Sequence, residues 1–403
     1  MGNWLLASLA ALILAGAGCV APTATQLAQT PKGPPPEVLP DIEASGPFEV
    51  ARVEYDFGPV PLIFQDSRGA PYPSRLQGSL HFPTTGQAPF PLVVFMHGRH
   101  STCSYAGTEF LGPAVCPDTP ATKNVRSFAG YDYISQPLAS HGYVIVSIDT
   151  NSINDLDLSM GDQGAVGRAQ LISRTLDEFA KLNKSAGPAP IQGRLVGKID
   201  FGRIGLMGHS RGGEGVTRFI SWNEQRTDGP RYPLLGVFAL APTDFARWKV
   251  ANVTHAALLP YCDGDVFNLH GAWMYDDARY LAESRPSPKI QILAMGSNHN
   301  NYNTIWTGDD GGGFRSDAHC GPSNPSSTKA GGRLAPDDQR RHGRVYMEAF
   351  FRHYVGGERG WNGLFTGRQA PPPAACPEGL YPCEDVVHVS YHAPAPDRLT
   401  LED

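Results

Sequence analysis

The chain is short of charge. Only 18% of its 403 residues are Asp, Glu, Lys or Arg, against the roughly 25% usual for a globular protein. It has no long basic run and a formal net charge of −6, which excludes an electrostatic footprint for nucleic acid. No CxxC pair occurs, and His97 with His100 is a lone couple without partners at ligand spacing, so no metal is expected. Asp309-Asp310 with Gly311, Gly312 and Gly313 fits no calcium-loop spacing and reads as a flexible turn. Nothing in the sequence calls for a cofactor. Glycine and proline, by contrast, are plentiful at 45 and 36 residues, so loops are long. A hydrophobic content of 41% with 10% aromatics still suffices for a large core, which excludes wholesale disorder and collagen-like repeats.

From Trp4 to Ala21 no residue carries a charge, and a Pro/Thr/Gln-rich stretch follows. Together these read as an export signal over residues 1–19 and a Pro-rich linker over residues 20–47. Gly16-Ala17-Gly18-Cys19 resembles a lipobox, in which a lipidated Cys19 would become the mature N-terminus and tether the protein to a membrane of the cell envelope. Six further cysteines remain. In an exported chain they are expected to pair, and six allow 15 connectivities. Sequence proximity favours Cys103–Cys116 and Cys376–Cys383, which leaves Cys262–Cys320.

Short apolar runs alternate with helical patterns from residue 90 to 355. Pro91–Met96, Tyr143–Ile148, Arg203–Gly208, Leu234–Leu240, Ala256–Cys262 and Lys289–Met295 read as strands. Val166, Ala169, Ile172, Leu176, Phe179 and Leu182 recur at steps of three and four, as on one face of a helix. Val345 to Tyr354 closes the series as another helix. Continuous apolar strands alternating with helices predict an α/β fold with a mostly parallel sheet covered on both faces. Phe48–Phe57 and Leu76–Phe82 alternate more and are expected to pair antiparallel at the sheet edge. The catalytic domain is placed at residues 48–357, with a Pro-rich extension over 358–403 pinned by Cys376–Cys383 on the surface.

Gly208-His209-Ser210-Arg211-Gly212 is a G-x-S-x-G element that directly follows the strand RIGLM and precedes a helical stretch. A nucleophile elbow needs this placement: a strained turn with small neighbours lifts the serine hydroxyl to the end of the sheet. Ser210 is therefore the candidate nucleophile. A serine needs a base, itself held by a carboxylate. His299 alone among the histidines directly follows a late strand. The strand AALLPYC ends in Asp263-Gly264-Asp265, so two carboxylates compete for the third role. Cys262 fits the small position three before Asp265, which favours Asp265, with Asp263 as the alternative acid. The backbone N–H groups of Arg211 and of Arg99, in the turn His97-Gly98-Arg99, are candidates for an oxyanion hole.

With these residues in hand, the chain resembles the α/β-hydrolases of the bacterial cutinase and PET hydrolase group over roughly residues 41–355. The matching segments are EASGPFEV (43–50), LASHGYVIVSIDTN (138–151), the stretch over 190–213 ending RIGLMGHSRGG, and VTHAALLPYCDGD (253–265). The resemblance implies Ser210 as nucleophile, Asp265 as acid, His299 as base, and Arg99 and Arg211 at the oxyanion positions. It departs from the family around the serine, where the GHSRGG elbow is similar to that of chlorophyllases. It departs again at Ala241-Pro242-Thr243-Asp244, where PET-active members place a Trp. Insertions at about 100–130 and 300–340 are expected to rim the cleft. The function implied is an exported serine hydrolase, monomeric and cofactor-free, acting on small or polymeric carboxylic esters. The alternatives are an acyl-peptide hydrolase or serine peptidase, and a non-catalytic envelope lipoprotein on the same scaffold.

Overall fold

Strands buried on both faces must be apolar at every position, and the runs read from the sequence are of that kind. The computed structural model describes residues 38–65, 71–113, 115–117, 119–306, 308, 320, 332–377 and 382–398. The expected leader, most of the linker and the Asp309–Gly313 turn lie outside these residues. The strands are β1 (Val50–Gln65), β2 (Pro71–Pro83), β3 (Phe90–Met96), β4 (Cys103–Tyr105), β5 (Thr108–Phe110), β6 (Thr122–Asn124), β7 (Val144–Ile148), β8 (Ile199–His209), β9 (Leu234–Leu240), β10 (Thr254–Pro260), β11 (Lys289–Ala294) and β12 (Val387–His392). Nine of them form one sheet in the order β1-β2-β7-β3-β8-β9-β10-β11-β12. From β7 to β11 every neighbouring pair is parallel, and β1–β2, β2–β7 and β11–β12 are antiparallel.

The helices are α1 (Asp132–Ser140), α2 (Asn151–Asn154), α3 (Ala165–Leu182), α4 (Arg211–Glu224), α5 (Gly271–Ala278), α6 (Pro336–Phe350) and α7 (Asn362–Phe365). Side chains of β3 alternate between two cores, as strand geometry requires. Leu92, Val94 and Met96 pack with Ile172, Leu176 and Phe179 of α3 and Val216 and Phe219 of α4. Val93 and Phe95 pack with Ile134 and Leu138 of α1 and Tyr346 and Phe350 of α6. The result is the α/β-hydrolase arrangement, helices on both faces of a mostly parallel sheet, with the edge hairpin where the sequence places it.

All three expected disulfides form: Cys103–Cys116, Cys262–Cys320 and Cys376–Cys383. The first closes the three-stranded sheet β5-β4-β6 in the 100–130 insertion. The C-terminal stretch differs from the surface extension expected. Val387–His392 adds an antiparallel strand beside β11, and Trp361, Leu364 and Phe365 are completely buried in the second core. Polar alternation in VHVSYH hides an edge strand whose outer half faces water.

Burial leaves many ionisable groups neutral. Desolvation pushes His81 and His100 down to about 4 and His255 and His342 down to about 3. The same effect pushes Asp244 and Glu348 up to about 7. Below pH 6.5 the unfolded chain takes up protons that the four folded imidazoles refuse, so stability falls on acidification. The two carboxyls act in the opposite sense, because folded they keep protons between about 4 and 7 that the unfolded chain releases. The imidazoles outnumber them. The melting temperature is expected to peak near pH 6.5 and to fall by several degrees toward pH 4.5. A melting temperature that rises steadily over that interval would contradict this balance.

Candidate active site

β8 runs into α4 through a single residue, Ser210, at φ +59° and ψ −125°. A non-glycine residue there stores backbone strain. The strain is over-determined by its surroundings. The Ser210 N–H donates to the Leu240 carbonyl at the end of β9 (2.9 Å), and the Ser210 carbonyl accepts from Gly213 N (2.8 Å). Gly98 lies against the elbow so closely that a Cβ there would sit 2.5 Å from Ser210 Cβ and 3.0 Å from its Oγ. Only glycine allows the turn after β3 to approach the serine in this way. A Cβ on Gly212 would meet the Met96 carbonyl oxygen at 2.4 Å, so the elbow and the turn after β3 depend on each other's small residues.

The His97 ring locks that turn from the other side. Its Nδ1–H donates to the Gly98 carbonyl (2.9 Å) and its Nε2 accepts from the Thr150 N–H (2.8 Å). The backbone N–H groups of Arg99 and Arg211 have no acceptor among the described residues. Both residues line one cavity of about 320 Å³ with Ser210, Phe245, Asp265 and Phe267.

His299 and the acid loop follow β11 and β10, the next strands along the sheet. The His299 Nδ1–H donates to Asp263 Oδ2 at 2.8 Å, with both side chains 1% exposed. The other Asp263 oxygen accepts from the N–H groups of Asp265 (3.0 Å) and Val266 (2.6 Å). The carboxylate is therefore fixed with one oxygen in its own turn and one on the imidazole. Asp265, preferred from the sequence, sits differently. It is 63% exposed, and its Oδ2 lies 3.6 Å from His299 Nε2, not at Nδ1. The chain turns between residues 262 and 266, so that the Asp263 carboxylate points inward onto Nδ1 and the Asp265 carboxylate lines the cavity on the Nε2 side. Cys262, whose small size favoured Asp265, is instead occupied by its bond to Cys320.

The base loop is pinned from several directions. Gln339 of α6 clamps Asn298, donating Nε2–H to its carbonyl (2.7 Å) and accepting from its N–H at Oε1 (2.9 Å). Cys262 N donates to the Ser297 carbonyl (2.8 Å), which ties acid loop to base loop. His209, beside the serine, donates Nε2–H to the His299 carbonyl (3.0 Å) and accepts at Nδ1 from Tyr131 OH (3.0 Å). Burial, together with the nearby His299, pushes His209 well below the usual imidazole range, which keeps it in this neutral arrangement. Elbow and base loop thus share a direct hydrogen bond.

Several residues at the site carry no signal at motif spacing. Trp306 stacks on His100 (5.0 Å between ring centres) and packs on His209 (4.5 Å), while its Nε1–H donates to Ser127 Oγ (2.9 Å). It joins the two insertions beside His299. Phe245, 44% exposed, stands just past the point where the family Trp is missing. Among the described residues no cluster of His, Cys, Asp and Glu could hold a metal ion.

Residues 124–266, which include Ser210, Asp263 and Asp265, match the model of the PET hydrolase-like family. Over that stretch the chain is similar to PET hydrolases, and its fold is that of an α/β-hydrolase. It is 33% identical over 168 residues to Cutinase est2 of Thermobifida alba, covering 41% of this chain and 47% of that protein. It is 33% identical over 100 residues to Cutinase 2 of Thermobifida cellulosilytica, covering 25% of this chain and 31% of the relative. A bis(hydroxyethyl) terephthalate hydrolase of Streptomyces coelicolor is 30% identical over 140 residues, covering 34% of this chain and 31% of the relative. The chain thus spans less than half the length of each of these relatives. The family match ends before His299.

Proposed function

We propose that this protein is a serine hydrolase that cleaves carboxylic esters through an acyl-enzyme. The hydrogen bond between Asp263 and His299, one shared loop-to-elbow bond away from the strained serine, supports this reading most. With Nδ1–H committed to Asp263, His299 Nε2 is the nitrogen left to take the Ser210 proton as Oγ attacks the ester carbonyl. The developing oxyanion is held by the N–H groups of Arg99 and Arg211, at the positive end of α4. His299 then returns its proton to the departing alcohol. Water, deprotonated by the same imidazole, attacks the acyl-serine, and the carboxylic acid leaves. The relatives' names, cutinases and a terephthalate ester hydrolase, are consistent with small or polymeric esters as substrates. The cavity of about 320 Å³ lies at the small end for ligand sites and favours short acyl chains. Export, with Cys19 as a lipid tether, and action as a monomer without a cofactor complete the proposal; no described helix is long and apolar enough to cross a membrane.

The test is hydrolysis of p-nitrophenyl esters from acetate to palmitate by the full chain. Turnover that declines with chain length is expected. A preference for long chains would shift the reading toward lipids and polyesters, and no turnover of any ester would overturn it. His209 enters as a positioning residue. His209→Phe keeps a ring against Trp306 but removes the donor to the His299 carbonyl. It is expected to lower kcat about tenfold, the worth of one hydrogen bond, with KM little changed, and to lower the melting temperature by a few degrees, because Tyr131 OH and the His299 carbonyl each lose a buried partner. Equal kcat would show that the base loop needs no such support.

A further inference from the structure

Three guanidinium groups converge on one carboxylate at the cavity wall. Asp157, completely buried, accepts from Arg99 Nε at Oδ1 (3.0 Å) and from Arg168 Nη2 at Oδ2 (2.9 Å), and Arg211 Nη1 lies 3.1 Å from the same Oδ2. Arg168 is buried as fully as Asp157 and also donates to Asn154 Oδ1 (2.7 Å), so these two form a neutral internal pair. Arg99 and Arg211 are then two cations without a carboxylate of their own. Their side chains are only 29% and 12% exposed, and both residues line the cavity beside Ser210.

Withdrawing a cation from water without a counter-charge costs free energy. Arg211 carries the mark of that cost: burial, aided by repulsion from Arg168 and Arg99, pushes its guanidinium below the ordinary value in spite of the negative charges of Asp157 and Glu214. The donors are also underused. Arg99 spends Nε on Asp157, and Arg211 spends Nη1 on Asp157 and the Gln163 carbonyl (3.5 Å). Among the described residues the remaining nitrogens of both have no protein acceptor. The acids nearby are engaged elsewhere. Glu214 accepts from Thr243 Oγ1, Ala246 N and Trp248 Nε1. Asp162 accepts from Gly164 N and Val166 N, and Asp265 stands beside His299 Nε2.

Resting on the ester-hydrolase reading above, we infer that the cavity takes an ester bearing a free carboxylate a few bonds from the scissile carbonyl, a monoester of a dicarboxylic acid. The carboxylate sits on the guanidinium groups of Arg99 and Arg211, which form planar forks suited to it. The Arg168–Asp157 pair holds both forks in place, and the backbone N–H groups of the same two arginines serve the oxyanion. Recognition and chemistry are thereby carried by the same pair of residues.

The test compares the mono-p-nitrophenyl ester of adipic acid with its methyl-capped counterpart, using the full chain. The acid ester is expected to show a kcat/KM about tenfold higher or more, the worth of a charge-assisted hydrogen bond. That ratio is expected to fall about tenfold in Arg211→Gln and in Arg99→Gln, and to shrink with added salt in the unaltered protein. Because the ratio is internal to each variant, a general loss of activity does not mimic the effect. A neutral ester used equally well, with a ratio unmoved by either substitution, would overturn the inference. If neither ester turns over, the ester-hydrolase reading fails by itself, and calorimetry with adipate then decides. Adipate binding lost in both arginine variants supports the anion subsite, and no binding to the unaltered protein overturns it.

Discussion

Ser210→Ala is expected to lower kcat on a short p-nitrophenyl ester by about six orders of magnitude, and His299→Ala by a similar factor. The serine hydroxyl forms the covalent bond and the imidazole makes it nucleophilic, so neither has a function without the other. The double variant should accordingly be no slower than either single one. A residual rate above water is expected from the backbone donors of Arg99 and Arg211, which neither substitution removes. The serine's φ of +59° is as strained for alanine as for serine, and the turn is fixed by backbone bonds to Leu240 and Gly213. The melting temperature should therefore stay within a degree or two. Retention of more than about one hundredth of the activity in Ser210→Ala would remove the serine from the role of nucleophile.

The sheet was legible because its chemistry is repetitive. Every position of β3 is buried, and a run of apolar residues of that length between turn signals has few other readings. The elbow was legible for a different reason: Gly208, Ser210 and Gly212 stand where strand meets helix, and the close approach of Gly98 and Gly212 to their neighbours permits no other residue. What failed to show depends on the path of the chain between elements. Asp263 and Asp265 are two residues apart, and in an extended strand they would point the same way. The Asx turn in which Asp263 accepts from Asp265 N and Val266 N ends the strand and separates them. The dipeptide Asp263-Gly264 announces a turn but not which of the two carboxylates it turns onto the imidazole. The arginine cluster is silent. Arg168 falls next to the apolar face of α3, where a helical pattern assigns it to the rim, yet it is completely buried. Its partner Asp157 opens a single 3-10 turn (Asp157–Ser159) before α3, so the pair becomes visible only once the chain is folded.

Asp263→Asn is expected to lower kcat/KM by about four orders of magnitude, whereas Asp265→Asn should stay within about fivefold of the parent. The difference follows from which imidazole nitrogen each carboxylate meets. Asp263 Oδ2 accepts the Nδ1 proton at 2.8 Å in a site 1% exposed, so it fixes the tautomer that leaves Nε2 free of its proton, and it stabilises the imidazolium formed when Ser210 is deprotonated. An amide placed there can donate to Nδ1, which moves the proton to Nε2 and disables the base. Its other oxygen keeps the turn through Asp265 N and Val266 N, and asparagine retains that bond, so the loop should keep its shape. Asp265 lies on the Nε2 side at 3.6 Å and is 63% exposed, where solvent screens its charge and it fixes no tautomer. The two variants measured side by side on one ester assign the acid without reference to any other protein. Near-parental activity in Asp263→Asn together with a collapse in Asp265→Asn would return the role to the residue first favoured by its spacing from Cys262. It would also require the loop to rearrange during turnover so that Asp265 reaches Nδ1.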